Sequence, residues 1–293
     1  MSPVADAAVP VVIFLMMTAV GHGLTPSELR RSVVDLRAVA SATIGQVVLL
    51  PLAATVVALL VEPPPSVTAG LVLVAACPGG TISNFYAHLA RANTALSVTL
   101  TAASCLLAFV TIPALVSGGF YFWLDDVPRI EVPPAALSLQ LLVLGALPII
   151  LGMVLRAWRP AGVVVRDRLL RQCSLAGLVA LVAYVVTVQW GALVADLPVL
   201  VAVAVLFTAL AMAAGLGLAW VTGRPAADRL TYLIEFPCRN LSLAVAVALT
   251  VLHRSELLAF AVILLLVQAL VMLTLVALLR RDAEHRSTGE RES

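Results

Sequence analysis

Apolar residues gather into runs long enough to cross a bilayer, at about residues 7–24, 38–61, 67–90, 95–117, 135–157, 170–191, 197–221, 229–252 and 257–279. A spanning helix needs about 20 predominantly apolar residues, so the pattern predicts nine transmembrane helices. Polar, proline-rich breaks separate the runs; Glu62-Pro63-Pro64-Pro65 is one, and the stretch from Asp125 through Pro128 to Pro134 is another. Two runs are interrupted from within. The third carries Cys77-Pro78-Gly79-Gly80-Thr81-Ile82-Ser83-Asn84, and the eighth carries Glu235-Phe236-Pro237-Cys238-Arg239-Asn240.

Pro78 and Pro237 remove a backbone donor and clash with the preceding turn, and Gly79 and Gly80 relax the chain, so both helices should stop and restart. The first restart leaves N–H groups exposed before Thr81, Ser83 and Asn84, where their partial positive charge suits an anion or a carboxylate. A packing kink is the competing reading, although a kink alone would not need three more hydrogen-bonding side chains. A charge near the bilayer centre costs at least ~2.5–3.5 kcal/mol, so Glu235 and Arg239 call for a reason. Their spacing of four is that of a helical ion pair, and a self-neutralising pair is one reading. Pro237 between them argues against a regular helix. Glu235 and the freed carbonyls of Phe236 and Cys238 could then coordinate a cation, while for Arg239 structural and functional roles both stand.

Composition settles the class. Hydrophobic residues make up 62% of the 293 residues and charged ones 12%, against ~25% charged in soluble domains. That balance predicts an all-α polytopic membrane protein. Every one of the eighteen basic residues is arginine. Fifteen lie on one side: Arg30, Arg31, Arg37, Arg91, Arg156, Arg159, Arg166, Arg168, Arg171, Arg224, Arg229, Arg280, Arg281, Arg286 and Arg291. The opposite loops hold only Arg129 and Arg254. The bias places the N-terminus outside and the C-terminus in the cytoplasm of a plasma-membrane protein. The third and eighth spans then run in opposite directions. A five-plus-five inverted repeat lacking its first helix gives nine spans with the broken ones in equivalent places, an architecture of secondary transporters.

The remaining residues add less. Asp6 precedes the first run where a signal peptide needs Lys or Arg, so residues 7–24 read as a span. Cys77, Cys105, Cys173 and Cys238 are scattered through apolar runs, with neither a CxxC nor an HExxH motif, which supports neither a disulfide framework nor a metal centre. Ser97 and Thr101 share one helix face, and their hydroxyls could complete an oxygen cage for a hard cation or simply bond their own backbone. Gln46, near Pro51, is equally ambiguous; Gln140, Gln189 and Gln268 are assigned nothing. An intramembrane enzyme with Ser83 or Cys77 as nucleophile lacks a base, because His88 is on another helical face and His22 is near a loop. A channel would show neither saturation nor exchange, and a receptor would need a signalling domain. Residues 280–293 read as a disordered cytoplasmic tail.

The stretch from Cys77 to Asn84, followed by Leu89-Ala90-Arg91-Ala92-Asn93 and Ala95-Leu96-Ser97, resembles the signature of the bile acid:sodium symporter family. Gln46 to Pro51 and Glu235 to Ala244 match its other landmarks in order, so the resemblance extends over nearly the whole chain. It implies a single transporter domain over 1–279, in which a panel (7–24 and 135–191) moves against a core (38–117 and 197–279) containing two crossing discontinuous helices. It implies one sodium site from Ser83, Asn84, Ser97, Thr101 and Glu235. A second would use Gln46, Glu235 and backbone oxygens around Phe236 and Cys238. The family usually completes that second site with a glutamine where this chain has Arg239, and a guanidinium has no acceptor with which to ligate sodium. Arg239 is therefore read as a fixed charge replacing the second sodium.

The resemblance implies sodium-coupled symport of a small organic anion by alternating access, with Thr81 and Asn240 facing the substrate crevice and Pro78, Gly79, Gly80 and Pro237 as helix breakers. The alternative is a sodium-independent transporter of the same fold, proton-coupled or facilitative. Partners are the anion, sodium and the lipid bilayer, with no nucleic acid and no cofactor beyond the coupling ion; the oligomeric state stays open.

Overall fold

The computed structural model describes residues 3–23, 35–123, 134–158 and 163–292. Arg30, Arg31, Arg129, Arg159 and most of the loop from Asp125 to Pro134 lie outside the described residues. Among those described, the regular elements are all helices: α1 (Pro3–Gly23), α2 (Leu36–Val61), α3 (Pro65–Ala76), α4 (Ile82–Leu89), α5 (Thr94–Trp123), α6 (Pro134–Trp158), α7 (Val163–Val188), α8 (Trp190–Ala195), α9 (Leu197–Val221), α10 (Ala226–Glu235), α11 (Leu241–Val251) and α12 (Leu258–Glu292). Among the described residues six stretches are long and apolar enough to cross a membrane, namely α2, α5, α6, Arg168–Val188 of α7, α9 and Ser255–Arg281. Pro10–Gly23, Pro65–Ala76 and Leu241–Val251 are shorter apolar helices. This is a multi-pass membrane architecture.

Local chemistry sets the helix ends. Asp35 starts α2 by accepting from Ala38 N–H at 2.9 Å, an N-cap, and its second oxygen pairs with Arg224 at 2.6 Å. Glu62 closes α2 in the left-handed conformation, and Pro65 opens α3 at the position where a missing N–H costs nothing. At the other end of the chain, α12 runs to Glu292, through the segment whose composition reads as a disordered tail. Once an apolar helix is nucleated, each further residue adds a hydrogen bond, and Arg, Glu and Ala are good helix formers.

The helices pack in two groups. In one, α1 lies against α6 and α7. The α1–α6 contact is backbone to backbone. A Cβ on Gly152 would stand 2.1 Å from the Thr18 carbonyl oxygen, and one on Gly21 would stand 1.9 Å from that of Ile149. Arg156 ties the same pair together by donating to the His22 carbonyl at 2.6 Å.

In the other group, contacts come in matched pairs. Helix α2 packs on α3 and α5, as α9 packs on α10 and α12; α3 meets α12 as α10 meets α5; α4 meets α5 as α11 meets α12. Exchanging α2–α5 with α9–α12 thus leaves these contacts in place. Tyr232 and Phe236 stack with ring centroids 6.0 Å apart, and the Tyr232 hydroxyl donates to the Ala38 carbonyl at 2.7 Å, which pins α10 to α2.

At the centre of the second group the segments between α3 and α4 and between α10 and α11 run side by side. Gly79 and Arg239 form an isolated antiparallel bridge. Gly80 N–H donates to the Cys238 carbonyl at 2.9 Å, and Asn240 N–H to the Pro78 carbonyl at 2.8 Å. A Cβ on Gly80 would sit 2.7 Å from the Arg239 carbonyl oxygen, so only glycine lets the two backbones meet.

Overpacking at Gly152 should separate α1 from α6. Gly152→Ala is expected to cost about 2–3 kcal/mol, seen as a Tm lower by several degrees in detergent. Gly191→Ala, where a Cβ meets nothing within 4 Å, should leave Tm unchanged. Equal Tm values for both variants would show that the close contact is not a constraint.

Candidate ion-binding site

Glu235 is the last residue of α10 and is fully buried. Its Oε1 lies 2.7 Å from Ser83 Oγ and 3.4 Å from Thr101 Oγ1, and it also accepts from Ser97 Oγ. Ser83 comes from the first turn of α4; Ser97 and Thr101 come from one face of α5. All three hydroxyl residues have no exposed surface.

The protons around this carboxylate are oversubscribed. Ser83 Oγ is also 2.7 Å from the Gly80 carbonyl oxygen, and Ser97 Oγ is 2.8 Å from Asn84 Oδ1. A hydroxyl has one proton and two lone pairs, so Ser83 and Ser97 each have one proton for two acceptors. Gly80 O has a second donor in Ser83 N–H at 3.0 Å, whereas Asn84 Oδ1 and Glu235 share the hydroxyl protons. Glu235 Oε2 has no hydrogen-bond partner among the described residues. Oxygen acceptors in excess, one of them anionic, are what a hard cation needs.

Arg239 has the opposite surroundings. Its Nη2 donates to Gln46 Oε1 on α2 at 3.2 Å, a contact across 193 positions of sequence. Among the described residues its Nε has no partner, nor have Gln46 Nε2 and Thr43 Oγ1. Glu235 and Arg239 do not come within the 4.0 Å of an ion pair. Gly79 lies beside both: a Cβ there would stand 3.0 Å from Glu235 Oε2 and 3.6 Å from Arg239 Nη2. The helical ion pair suggested by their spacing is thus absent, because the chain leaves the helix at Phe236.

The residues expected at a second cation site fare differently. The Cys238 carbonyl, expected to be free, spends one lone pair on Gly80 N–H. The Phe236 ring is buried against α9, beside Gly215. Of the expected substrate residues, Thr81 is exposed and makes no capping bond. Asn240 is buried; its Oδ1 caps α11 from Leu243 N–H at 3.2 Å, and its Nδ2 meets Met17 Sδ at 3.8 Å and Cys105 Sγ at 3.9 Å.

Two contributors escape a reading of the sequence. Ser104 accepts from Gly79 N–H at 3.1 Å and donates to the Thr101 carbonyl at 3.1 Å, which holds the segment between α3 and α4 against α5. Its place one helical turn beyond Thr101 was the available signal. Thr43, one turn before Gln46, was legible in the same way.

Residues 10–196 match the model of the sodium bile acid symporter family. The chain belongs to that family. The match takes in Gln46, the first crossing segment and the two α5 hydroxyls, while Glu235 and Arg239 lie beyond it. Among the relatives, a Bacillus subtilis protein named as an uncharacterized sodium-dependent transporter is 34% identical over 179 residues, 60% of this chain and 54% of that protein. An Oryza sativa protein named as a probable chloroplastic sodium/metabolite cotransporter is 36% identical over 137 residues, 46% and 34% of the two chains. The human sodium/bile acid cotransporter 4 is 30% identical over 209 residues, 70% and 45%. The chain thus spans about half the length or less of these relatives. The family and these relatives are transporters, not enzymes.

The opposed charges make a direct prediction. In sodium-free choline medium, Arg239→Gln should lose on the order of 3 kcal/mol of stability, because Glu235 loses its buried counter-charge. Glu235→Gln/Arg239→Gln should recover most of that loss in the same denaturation measurement. A double variant as unstable as the single would assign the effect to shape rather than charge.

Proposed function

We propose that this protein is a secondary active transporter of a small organic anion, driven by sodium symport. The observation that carries the reading is the excess of oxygen acceptors around Glu235. A sodium ion held by Glu235, Ser83, Asn84, Ser97 and Thr101 relieves it, because each hydroxyl can turn a lone pair towards the cation. Family membership and relatives named for sodium agree with it. Arg239 stands where a second sodium would sit, with its guanidinium on Gln46. Coupling then falls to one sodium.

The reading extends to architecture. Nine spans, with α3–α4 and α10–α11 as the two discontinuous ones, are supported by the exchange symmetry of contacts in the larger helix group, as an inverted repeat would give. The larger group is the core and α1, α6 and α7 the panel. Alternating access is relative motion of the two across the crevice that Asn240 and α1 share, in a plasma membrane with the N-terminus outside. The substrate carboxylate is placed at the restarted helix ends near Thr81 and Asn240, where backbone N–H groups favour an anion.

A sodium-independent transporter of the same fold is favoured by one observation, the buried Arg239 beside Gln46. Thermal stability in sodium against choline chloride separates the two readings, since an ion that binds only the folded state raises its stability. Wild type is expected to gain roughly 2–4 °C at sodium about tenfold above Kd, and Ser97→Ala to raise the half-saturating sodium about tenfold. Arg239→Gln should respond more steeply by admitting an additional sodium; if it bound none, the replacement idea would fail. No response in wild type would leave the sodium-independent transporter.

A further inference from the structure

The crossing segments separate two polar neighbourhoods of opposite character. On the Glu235 side acceptors outnumber protons. On the Arg239 side the imbalance is reversed: guanidinium Nε–H, the Gln46 amide Nε2 and the Thr43 hydroxyl all have no hydrogen-bond partner among the described residues. Thr43, Gln46 and Arg239 are 5%, 3% and 3% exposed, and all three line one cavity of about 20 Å³. Unmade hydrogen bonds at buried donors are costly, about 1–3 kcal/mol each and more at a charge. A cavity above about 10–15 Å³ holds a water-sized occupant. Ser104 also lines this cavity, but its hydroxyl is already committed to Gly79 and Thr101.

From this we infer that Thr43, Gln46 and Arg239 form a binding site for a small monatomic anion of the size of chloride. The donor set is cationic, and its one amide oxygen, Gln46 Oε1, is occupied by Arg239 Nη2. The remaining wall is mostly apolar, from Ala75, Ala76, Leu107 and Leu115, and the Thr111 hydroxyl in it is committed to the Leu107 carbonyl at 3.2 Å, so the ion is solvated chiefly by those donors. A second cavity, of about 260 Å³, shares Ala75 and Leu115 with the first and reaches Phe122 and Trp123 at the end of α5. The second cavity lies between α2, α3 and α5.

Charge balance ties this site to the cation cage, and to that extent the inference rests on the sodium reading above. Glu235 and Arg239 alone are neutral together. An anion added to them leaves a net buried negative charge, and a sodium added to them leaves a net positive one. With both ions bound, two positive and two negative charges cancel, and the desolvation cost of each is offset by its neighbours. Sodium and the anion therefore bind cooperatively, each raising the affinity for the other by the same factor.

The test is the thermal stability of the purified protein in the chloride, bromide and gluconate salts of sodium and of choline. Gluconate is too large for the cavity. Sodium chloride and sodium bromide should give a Tm roughly 2–4 °C above sodium gluconate at anion concentrations about tenfold above Kd, with a smaller difference among the choline salts. Gln46→Glu puts a carboxylate beside Arg239, so it should abolish the anion dependence and raise stability in gluconate towards that of wild type in chloride. Thr43→Val should weaken the anion dependence. A sodium response that is the same in chloride and gluconate overturns the anion site and leaves the sodium reading standing. An anion response in choline without any sodium response keeps the site and removes both the coupling and the sodium reading. An anion effect that persists unchanged in Gln46→Glu is a general salt effect and overturns the proposal, as does the absence of either response.

Discussion

The burial of one carboxylate organises this molecule. Glu235 ends α10 with no exposed surface, in a place where an uncompensated charge would cost several kcal/mol. Three hydroxyls from two helices take up one of its oxygens, and Arg239 supplies an opposite charge across Gly79. To bring those groups together the chain must leave the helix twice, and the exposed backbone of the two breaks must be satisfied. The crossing does this: Gly80 and Asn240 donate to Cys238 and Pro78. The absence of a side chain at Gly80 allows the contact, and the rest of the larger helix group is arranged around it.

A polar centre of this kind sits well in a bundle of apolar helices. The outer faces carry Leu52, Val56, Leu59, Leu151 and Leu270 in exposed positions, which in water would be a liability and in lipid are at home. The smaller group joins through glycine contacts between α1 and α6, and meets α11 through the sulfurs of Met16 and Met17 near Ser242 and Asn240. Thioethers are weak acceptors and adaptable in shape. Two hydrogen bonds add direction to this seam, from Gln140 Nε2 on α6 to Thr250 Oγ1 on α11 and from Gln189 Nε2 to Ser255 Oγ at 2.9 Å.

Much of the site was legible because its signals are local. Pro51 and Pro113 are accommodated inside α2 and α5, but a proline beside two glycines or among charged and polar residues is a stronger break, so the interruptions at Pro78 to Gly80 and at Pro237 were readable from local sequence. Ser97 and Thr101 fall on one face by helical geometry. The spacing of four between Glu235 and Arg239 left a helical pair open, and Pro237 between them argued against it; a spacing of four implies a contact only while the helix continues.

Hydropathy along the chain determined that this is a helical membrane protein, where its apolar segments lie, and where they break, because lipid solvation and backbone hydrogen bonding act on each segment separately. The tertiary structure alone decided that Arg239 reaches Gln46, that Cys238 answers Gly80, and that acceptors collect on one side of the crossing and donors on the other. Those facts depend on which residues far apart in sequence share a few cubic ångströms, and no local spacing encodes that.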